Sequence, residues 1–215
     1  MNYNRVLLDY MDKCCYDEPI FIEDIKKYIF DITNENGDDF NKVIKNIYVY
    51  INRMVKKGEI EFFAKGIYYK PTIGVFGKRK INKNKIIEKK YLIDNGNIKG
   101  YVTGAYLYNK LGLTTQVPRN VLIITNECIT NNDYEIKNLN INIRKPKIEV
   151  NNDNYLYLQL LDLLANKDNI GIEIDNPKKI IYDYINEKKL DFEKIFYYAK
   201  ITNNKKAIDK LYNLG

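Results

Sequence analysis

The stretch that decides the fold is residues 38–58, which read DDFNKVIKNIYVYINRMVKKG. Large apolar residues recur in it at steps of three and four, the spacing that places side chains on one face of a helix. They are Phe40, Val43, Ile44, Ile47, Ile51, Met54 and Val55. Gly58 follows the last of them, in the position where helices commonly end with a left-handed residue. The pattern predicts a long helix that begins at Asp38 or Asp39, ends near Lys57 and buries one face.

The segments on either side of this helix predict a small domain around it. Upstream, residues 5–15 and 22–30 each carry an apolar stripe at helical spacing and predict two shorter helices. Downstream, residues 59–63 and 66–70 are strand-like runs joined by a turn that contains Lys65. Three helices followed by a β-hairpin, with the third helix longest and most basic, is the order of a winged helix-turn-helix domain.

The charge distribution points to the same region. The formal net charge of the chain is +7, but residues 1–39 alone sum to −6. Residues 40–90 hold 14 basic and 3 acidic side chains and therefore sum to +11, while residues 91–215 add only +2. A concentrated block of positive charge is typical of a surface that binds phosphate groups. Because this block contains the predicted long helix and hairpin, we expect the domain to bind DNA.

The outward face of the long helix supplies the candidate contact residues. A helix fits the major groove of DNA, where Asn pairs with adenine and Lys or Arg pairs with guanine or phosphate. In the hairpin, Lys65 and Tyr68 are expected to lie beside the DNA backbone. The predicted DNA-binding set is Asn41, Lys42, Lys45, Asn46, Asn52, Arg53, Lys56, Lys65 and Tyr68.

The rest of the chain predicts a second domain, so that residues 1–75 form the first and residues 81–215 form the second. Its pattern is α+β with a helical carboxyl-terminal tail, and Thr103 is expected to cap one of its helices. Strands are predicted at 121–125, 134–136 and 139–144, and the larger helices at 155–165, from Pro177 onward, at 192–200 and at 205–214.

Missing residue types exclude several classes of enzyme. The chain has no histidine, tryptophan or serine, so a Ser-His-Asp triad, a Cys-His pair and a histidine-ligated zinc site are all impossible. Glu173 and Asp175 form an isolated carboxylate pair without a third ligand. We therefore expect no catalytic residues, no metal and no cofactor.

The cysteines and the apolar runs bear on the compartment. Three cysteines without the spacing of a disulfide framework favour reduced thiols. The amino terminus carries Asp9 and Asp12 and lacks an unbroken apolar stretch, and the longest aliphatic run, residues 121–124, is far too short to cross a bilayer. We expect a soluble, cytoplasmic protein that does not bind membranes.

Two groups of motifs carry a family resemblance. The first is RMVKKGEIE at 53–61, GIYYKP at 66–71 and FG at 76–77, and the second is YVTGAYLYNKLGLTTQVP at 101–118. Together they resemble the AbiEi-type antitoxins of bacterial type IV toxin–antitoxin systems. The resemblance implies an amino-terminal winged helix that binds inverted repeats in its own promoter and represses transcription. It also implies that the remainder neutralises a nucleotidyltransferase-like toxin encoded next door.

Two alternatives stay open at this point. One is a stand-alone winged-helix transcription regulator, or a plasmid accessory DNA-binding protein, without a toxin partner. The other is an enzyme that acts on nucleic acid, which the missing histidine and serine and the lack of a carboxylate cluster argue against.

Overall fold

The computed structural model describes residues 3–33, 37–166 and 176–212, with backbone only for 37–39. The chain forms two compact units, Met1–Ile86 and Ile87–Gly215, each of which is described by itself. The sequence predicts the domain boundary at residues 76–80, whereas the structure divides the chain after Ile86. Glu173 and Asp175 lie outside the described residues.

Three helices form most of the described part of the first unit. They are α1 (Tyr3–Lys13), α2 (Ile22–Thr33) and α3 (Gly37–Lys57). The end of α3 is fixed by Gly58, whose φ is +74°, a left-handed conformation that glycine adopts without steric cost. The Gly58 amide donates to the carbonyl of Val55 at 3.0 Å, and the Glu59 amide donates to that of Met54 at 3.0 Å. These two bonds form a Schellman motif, which satisfies carbonyls left over at the helix end.

The core of this unit is built from the apolar stripes of the three helices. Ile47 and Ile51 of α3 have no exposed surface and pack with Ile25 and Ile29 of α2, which are equally buried. Burying each such side chain contributes about 1.5–3 kcal/mol relative to leaving it in water. Of the seven residues predicted on the buried face of the long helix, four are buried and the other three, Phe40, Met54 and Val55, are half-buried against the same core.

A three-stranded antiparallel sheet completes the core. Its strands are β1 (Pro19–Phe21), β2 (Glu61–Ala64) and β3 (Ile67–Tyr69), in the order β1-β3-β2. The sequence pattern predicts the β2–β3 hairpin but not β1, which begins at Pro19. Pro19 is tolerated because β1 is an edge strand, in which a missing N–H need not cost a ladder hydrogen bond.

A second, smaller hairpin follows directly. Strands β4 (Ile73–Gly74) and β5 (Gly77–Lys78) pair antiparallel, with Ile73 opposite Lys78 and Gly74 opposite Gly77. The loop between them consists of Val75 and Phe76. The sequence pattern does not predict this hairpin, whose strands have only two residues each.

The second unit combines a sheet with helices. Helix α4 (Lys83–Ile87), within which the chain passes from one unit to the other, leads into a π-helical turn at Glu88–Leu92, and β6 (Ile93–Asp94) pairs with β7 (Asn97–Ile98). The larger sheet has four strands, which are β8 (Gly100–Thr103), β9 (Val121–Thr125), β10 (Tyr134–Ile136) and β11 (Ile141–Arg144). Their order in the sheet is β10-β11-β9-β8, and only the pair β9 and β11 is parallel.

Five more helices belong to the described part of this unit. They are α5 (Ala105–Lys110), α6 (Tyr155–Asn166), α7 (Pro177–Glu187), α8 (Phe192–Ile201) and α9 (Lys205–Tyr212). Asn176 and Asp191 cap α7 and α8 by accepting hydrogen bonds from the backbone amides of Lys179 and Lys194. Helix α6 is central, and Leu160, Leu161 and Leu164 are almost fully buried in the largest apolar cluster of the unit.

The expected fold class, α+β with a helical carboxyl-terminal region, is confirmed. One local prediction is wrong: Thr103 does not cap α5. Thr103 is buried in β8 with its hydroxyl unpartnered, and the residue before the helix is Gly104, with φ of +70°. Within the described residues, no helix has both the length and the apolar content to cross a bilayer.

Gly100 generates a prediction about stability. A Cβ atom at this position would lie 2.2 Å from the carbonyl oxygen of Tyr91 and 2.8 Å from that of Ile124, both of which are backbone atoms that cannot rotate away. We expect Gly100→Ala to lower the free energy of unfolding by about 3 kcal/mol, at the upper end of overpacking costs. Gly74→Ala is the matched control, since its Cβ would only reach ordinary contact at 3.8 Å. Urea titration followed by circular dichroism measures both, and equal effects would contradict the prediction.

Candidate nucleic-acid interface

The exposed face of α3 is set by the burial of its opposite face. Because Val43, Ile44, Ile47 and Ile51 point into the core, the positions between them face solvent. All seven residues predicted on α3 to contact DNA are exposed, as is Val49. These residues are Asn41, Lys42, Lys45, Asn46, Asn52, Arg53 and Lys56.

The charge on this face has one sign. No aspartate or glutamate occurs between Phe40 and Lys57, whereas four lysines and one arginine do. Arg53 is held in place by Tyr50, whose ring centre lies 5.2 Å from the guanidinium carbon, and the Tyr50 hydroxyl accepts a hydrogen bond from Asn4. A cation over an aromatic ring is attracted to it and loses some freedom, so Arg53 is partly pre-organised.

The hairpin between β2 and β3 contributes one of the two predicted residues. Lys65 is exposed in its turn, next to Gly66, whose φ is +77°. Tyr68 is a correction: it is only 6% exposed, because β3 is the central strand of its sheet and its side chain packs in the core of the unit. The exposed aromatic residue of this hairpin is Phe62 on the edge strand β2, whose ring lies 5.8 Å from that of Tyr68.

Several of the basic residues that follow the hairpin are engaged within the unit. The Lys78 ammonium lies 2.6 Å from the Glu61 carboxylate, Arg79 lies 3.8 Å from Asp17, and Lys85 pairs with Glu18. Asp17 also accepts two hydrogen bonds from Thr72, and these, with Arg79 nearby, lower the pKa of the Asp17 carboxyl. Part of the positive block is therefore balanced by acidic residues, two of which come from the amino-terminal segment.

A family match covers this interface. The family model that matches is described as a family of unknown function (DUF6088), and it spans residues 35–190. The chain belongs to this family. The DUF6088 match takes in α3, both hairpins and the four-stranded sheet. A search of the curated proteins found no match.

The second unit holds a separate polar feature that the sequence analysis did not single out. A cavity of about 90 Å³ is lined by Tyr101, Arg144 and Asp162 among others. The Tyr101 hydroxyl donates to the Asp162 carboxylate at 2.8 Å, and Arg144 binds Asp133 through two hydrogen bonds of 2.6 Å. The sequence feature that points to this cavity is Asp162, a single acidic residue inside the leucine-rich run YLYLQLLDLLAN.

Burial determines the protonation behaviour of this pair. It raises the pKa of the Asp162 carboxyl, although the Tyr101 hydrogen bond and the positive charge of Arg144 oppose the shift. It also raises the pKa of Tyr101 well above its usual value, and the neighbouring carboxylate adds to this effect. Among the described residues, no three cysteines, aspartates or glutamates lie close enough together to hold a metal ion.

The raised pKa of Asp162 generates a prediction about pH. The folded state binds the Asp162 proton more tightly than the unfolded state, so this group destabilises the fold progressively as pH rises from its unfolded to its folded pKa. An asparagine side chain at this position cannot ionise, and its carbonyl can still accept from Tyr101. We expect Asp162→Asn to gain stability relative to wild type as pH rises from the ordinary carboxyl pKa of about 4 to the raised pKa of the folded state. Urea titrations across this range measure it, with exposed Asp153→Asn as control; a constant difference would contradict the prediction.

Proposed function

We propose that the first unit is a winged helix-turn-helix domain that binds double-stranded DNA, and that the whole chain is a non-catalytic transcriptional repressor and antitoxin. The order of elements supports the first part of this proposal. Helix α1 is followed by β1, then α2, α3 and the β2–β3 hairpin, and β3 lies between β1 and β2 in the sheet. In this arrangement α3 is the recognition helix and the turn at Lys65 is the tip of the wing.

The observation that carries the proposal is the exposed face of α3. It combines asparagine, lysine and arginine, contains no acidic side chain from Phe40 onward and lies opposite the stripe that includes the buried Val43, Ile44, Ile47 and Ile51. An α-helix fits the major groove, and these side chains are the ones that pair with base edges and phosphates. A helix that was only solvated would not need to exclude acidic residues over 18 consecutive positions, Phe40 to Lys57.

The position of each residue suggests its role. Lys45 and Asn46 lie in the first half of α3, which is the part of a recognition helix that reaches base edges. Lys65, in the turn of the hairpin, is suited to a phosphate of the DNA backbone. Phosphate contacts hold the protein in register but do not distinguish sequences.

Two classes of substitution test these roles. We expect Lys45→Ala and Asn46→Ala to weaken binding to the promoter by about 1–3 kcal/mol each and to affect random DNA much less. Lys65→Ala should weaken binding to both DNAs alike and lower the salt dependence by about one released ion. Fluorescence anisotropy with promoter and random duplexes, over a salt series, measures both effects.

The control variant for this experiment replaces a lysine outside the proposed interface. Lys194→Ala removes an exposed lysine from α8, in the second unit, and should leave both affinities unchanged. Equal losses on promoter and random DNA for Lys45→Ala and Asn46→Ala would remove the base-reading role. A wild-type protein that binds neither duplex at low salt would overturn the DNA-binding proposal itself.

The antitoxin part of the proposal rests on the resemblance at residues 101–118. This motif includes most of β8, all of α5 and the loop toward β9. The partner proposed is a nucleotidyltransferase-like toxin encoded by the adjacent gene. The specific competitor is a stand-alone regulator, which the same exposed face of α3 would serve without any toxin.

Separating the two activities distinguishes these candidates. The full-length variant Lys42→Ala/Lys45→Ala/Lys56→Ala should lose promoter binding, because three positive charges are removed from the exposed face of α3. It should still restore growth when the adjacent gene is expressed from an unrelated promoter, since that promoter makes repression irrelevant. The matched control is Lys178→Ala/Lys194→Ala/Lys200→Ala, which should keep both activities. Failure of the wild-type chain to restore growth would favour the stand-alone regulator.

A further inference from the structure

The β4–β5 hairpin presents an apolar tip to solvent. Val75 and Phe76 are 97% and 103% exposed, the highest values among the large hydrophobic side chains of the described residues, and Ile73 below them is 82% exposed. Scattered exposed apolar residues are ordinary on protein surfaces, but three within four positions at the end of a hairpin form a protruding apolar point.

The base of this hairpin is tied to the elements that carry the proposed DNA interface. The Lys78 ammonium donates to the carbonyl of Gly58, at the end of α3, at 3.1 Å and to the Glu61 carboxylate of β2 at 2.6 Å. The Arg79 amide donates to the Thr72 carbonyl at 2.8 Å, and Thr72 in turn is held by Asp17. These contacts place the base of the hairpin next to the carboxyl-terminal end of α3.

The sequence around the tip carries only positive charge. No aspartate or glutamate occurs in residues 62–87, whereas seven lysines and arginines do, including the consecutive residues Lys78, Arg79 and Lys80. Lys78, Arg79 and Lys85 have acidic partners within the unit, but the exposed Lys65, Lys80 and Lys83 leave a positive excess. This excess favours a partner that offers an apolar slot bordered by negative charge. Double-stranded DNA has this combination, because stacked bases lie between two rows of phosphates.

We propose that Val75 and Phe76 form a wedge that enters the minor groove of the DNA bound by α3, partly unstacks one base step and bends the duplex. Apolar side chains inserted between base steps kink DNA toward the major groove in several architectural proteins. The flanking Lys80, which is exposed, contacts a phosphate beside the groove. Flexible pyrimidine–purine steps are the sequences at which the wedge enters, since they unstack most easily.

This inference rests on the proposed DNA binding and adds a deformation of the DNA to it. A helix in the major groove contacts base edges and phosphates but does not place a side chain between two base pairs. A wedge makes affinity depend on the deformability of base steps that α3 does not touch, and it brings the ends of a short duplex closer together.

The test uses the full-length chain and a promoter duplex labelled at both ends for fluorescence energy transfer. Wild type is expected to shorten the distance between the two ends, whereas Val75→Ala/Phe76→Ala is expected to leave it unchanged and to bind roughly tenfold more weakly. Phe76→Leu keeps an apolar wedge and should retain most of the bend. The matched control is Ile129→Ala/Phe192→Ala, which removes one aliphatic and one aromatic side chain from exposed positions in the second unit.

The outcomes separate this inference from the function on which it rests. If wild type binds DNA, with loss on Lys45→Ala, but does not bend it, the wedge is overturned and the DNA-binding proposal stands. The same holds if Val75→Ala/Phe76→Ala bends DNA as wild type does. If the double variant instead loses the toxin in co-purification while its DNA bending is unchanged, the tip is a protein contact and the wedge is again overturned. If wild type binds no DNA, both proposals fail.

Discussion

The burial of one face of α3 is the constraint on which the rest of the first unit depends. Ile47 and Ile51 are completely removed from water, and rotating the helix to expose both would cost about 3–6 kcal/mol, twice the contribution of one such side chain. This burial fixes which residues of α3 face outward and at which angle. The Schellman end at Gly58 then turns the chain back, so that β2 begins where it pairs with β3. The charged face and both hairpins therefore have their positions set by one apolar stripe.

Sequence periodicity was enough to predict α3, its exposed face and the β2–β3 hairpin, because each is a local pattern of apolar spacing and turn residues. It could not predict β1, since a segment of three residues is too short to show a periodic pattern and forms a strand only through its pairing with β3. Tyr68 was misplaced for a related reason. Alternation predicts one buried and one exposed face for a strand, but the central strand β3 is buried at all three residues.

Other features depended on contacts that are distant in sequence. The β4–β5 hairpin has strands of two residues, too short for any pattern, although the two glycines that flank Val75 and Phe76 are consistent with its tight turn. Thr103 looks like a helix cap by residue type, yet β8 continues through it and Gly104 takes the position before α5. The pairing of Lys78, Arg79 and Lys85 with acidic partners also reduces the positive charge that the sequence count assigns to the surface.

The two edges of the three-stranded sheet have a consequence for assembly. One edge strand, β1, starts with Pro19, and the other, β2, contains an irregularity between Phe62 and Ala64. Both devices interrupt the regular row of hydrogen-bonding groups that a further strand would need, so they protect against edge-to-edge aggregation. A second copy of the chain therefore cannot readily extend this three-stranded sheet from either edge, and the protein can reach a high local concentration without joining its copies through it.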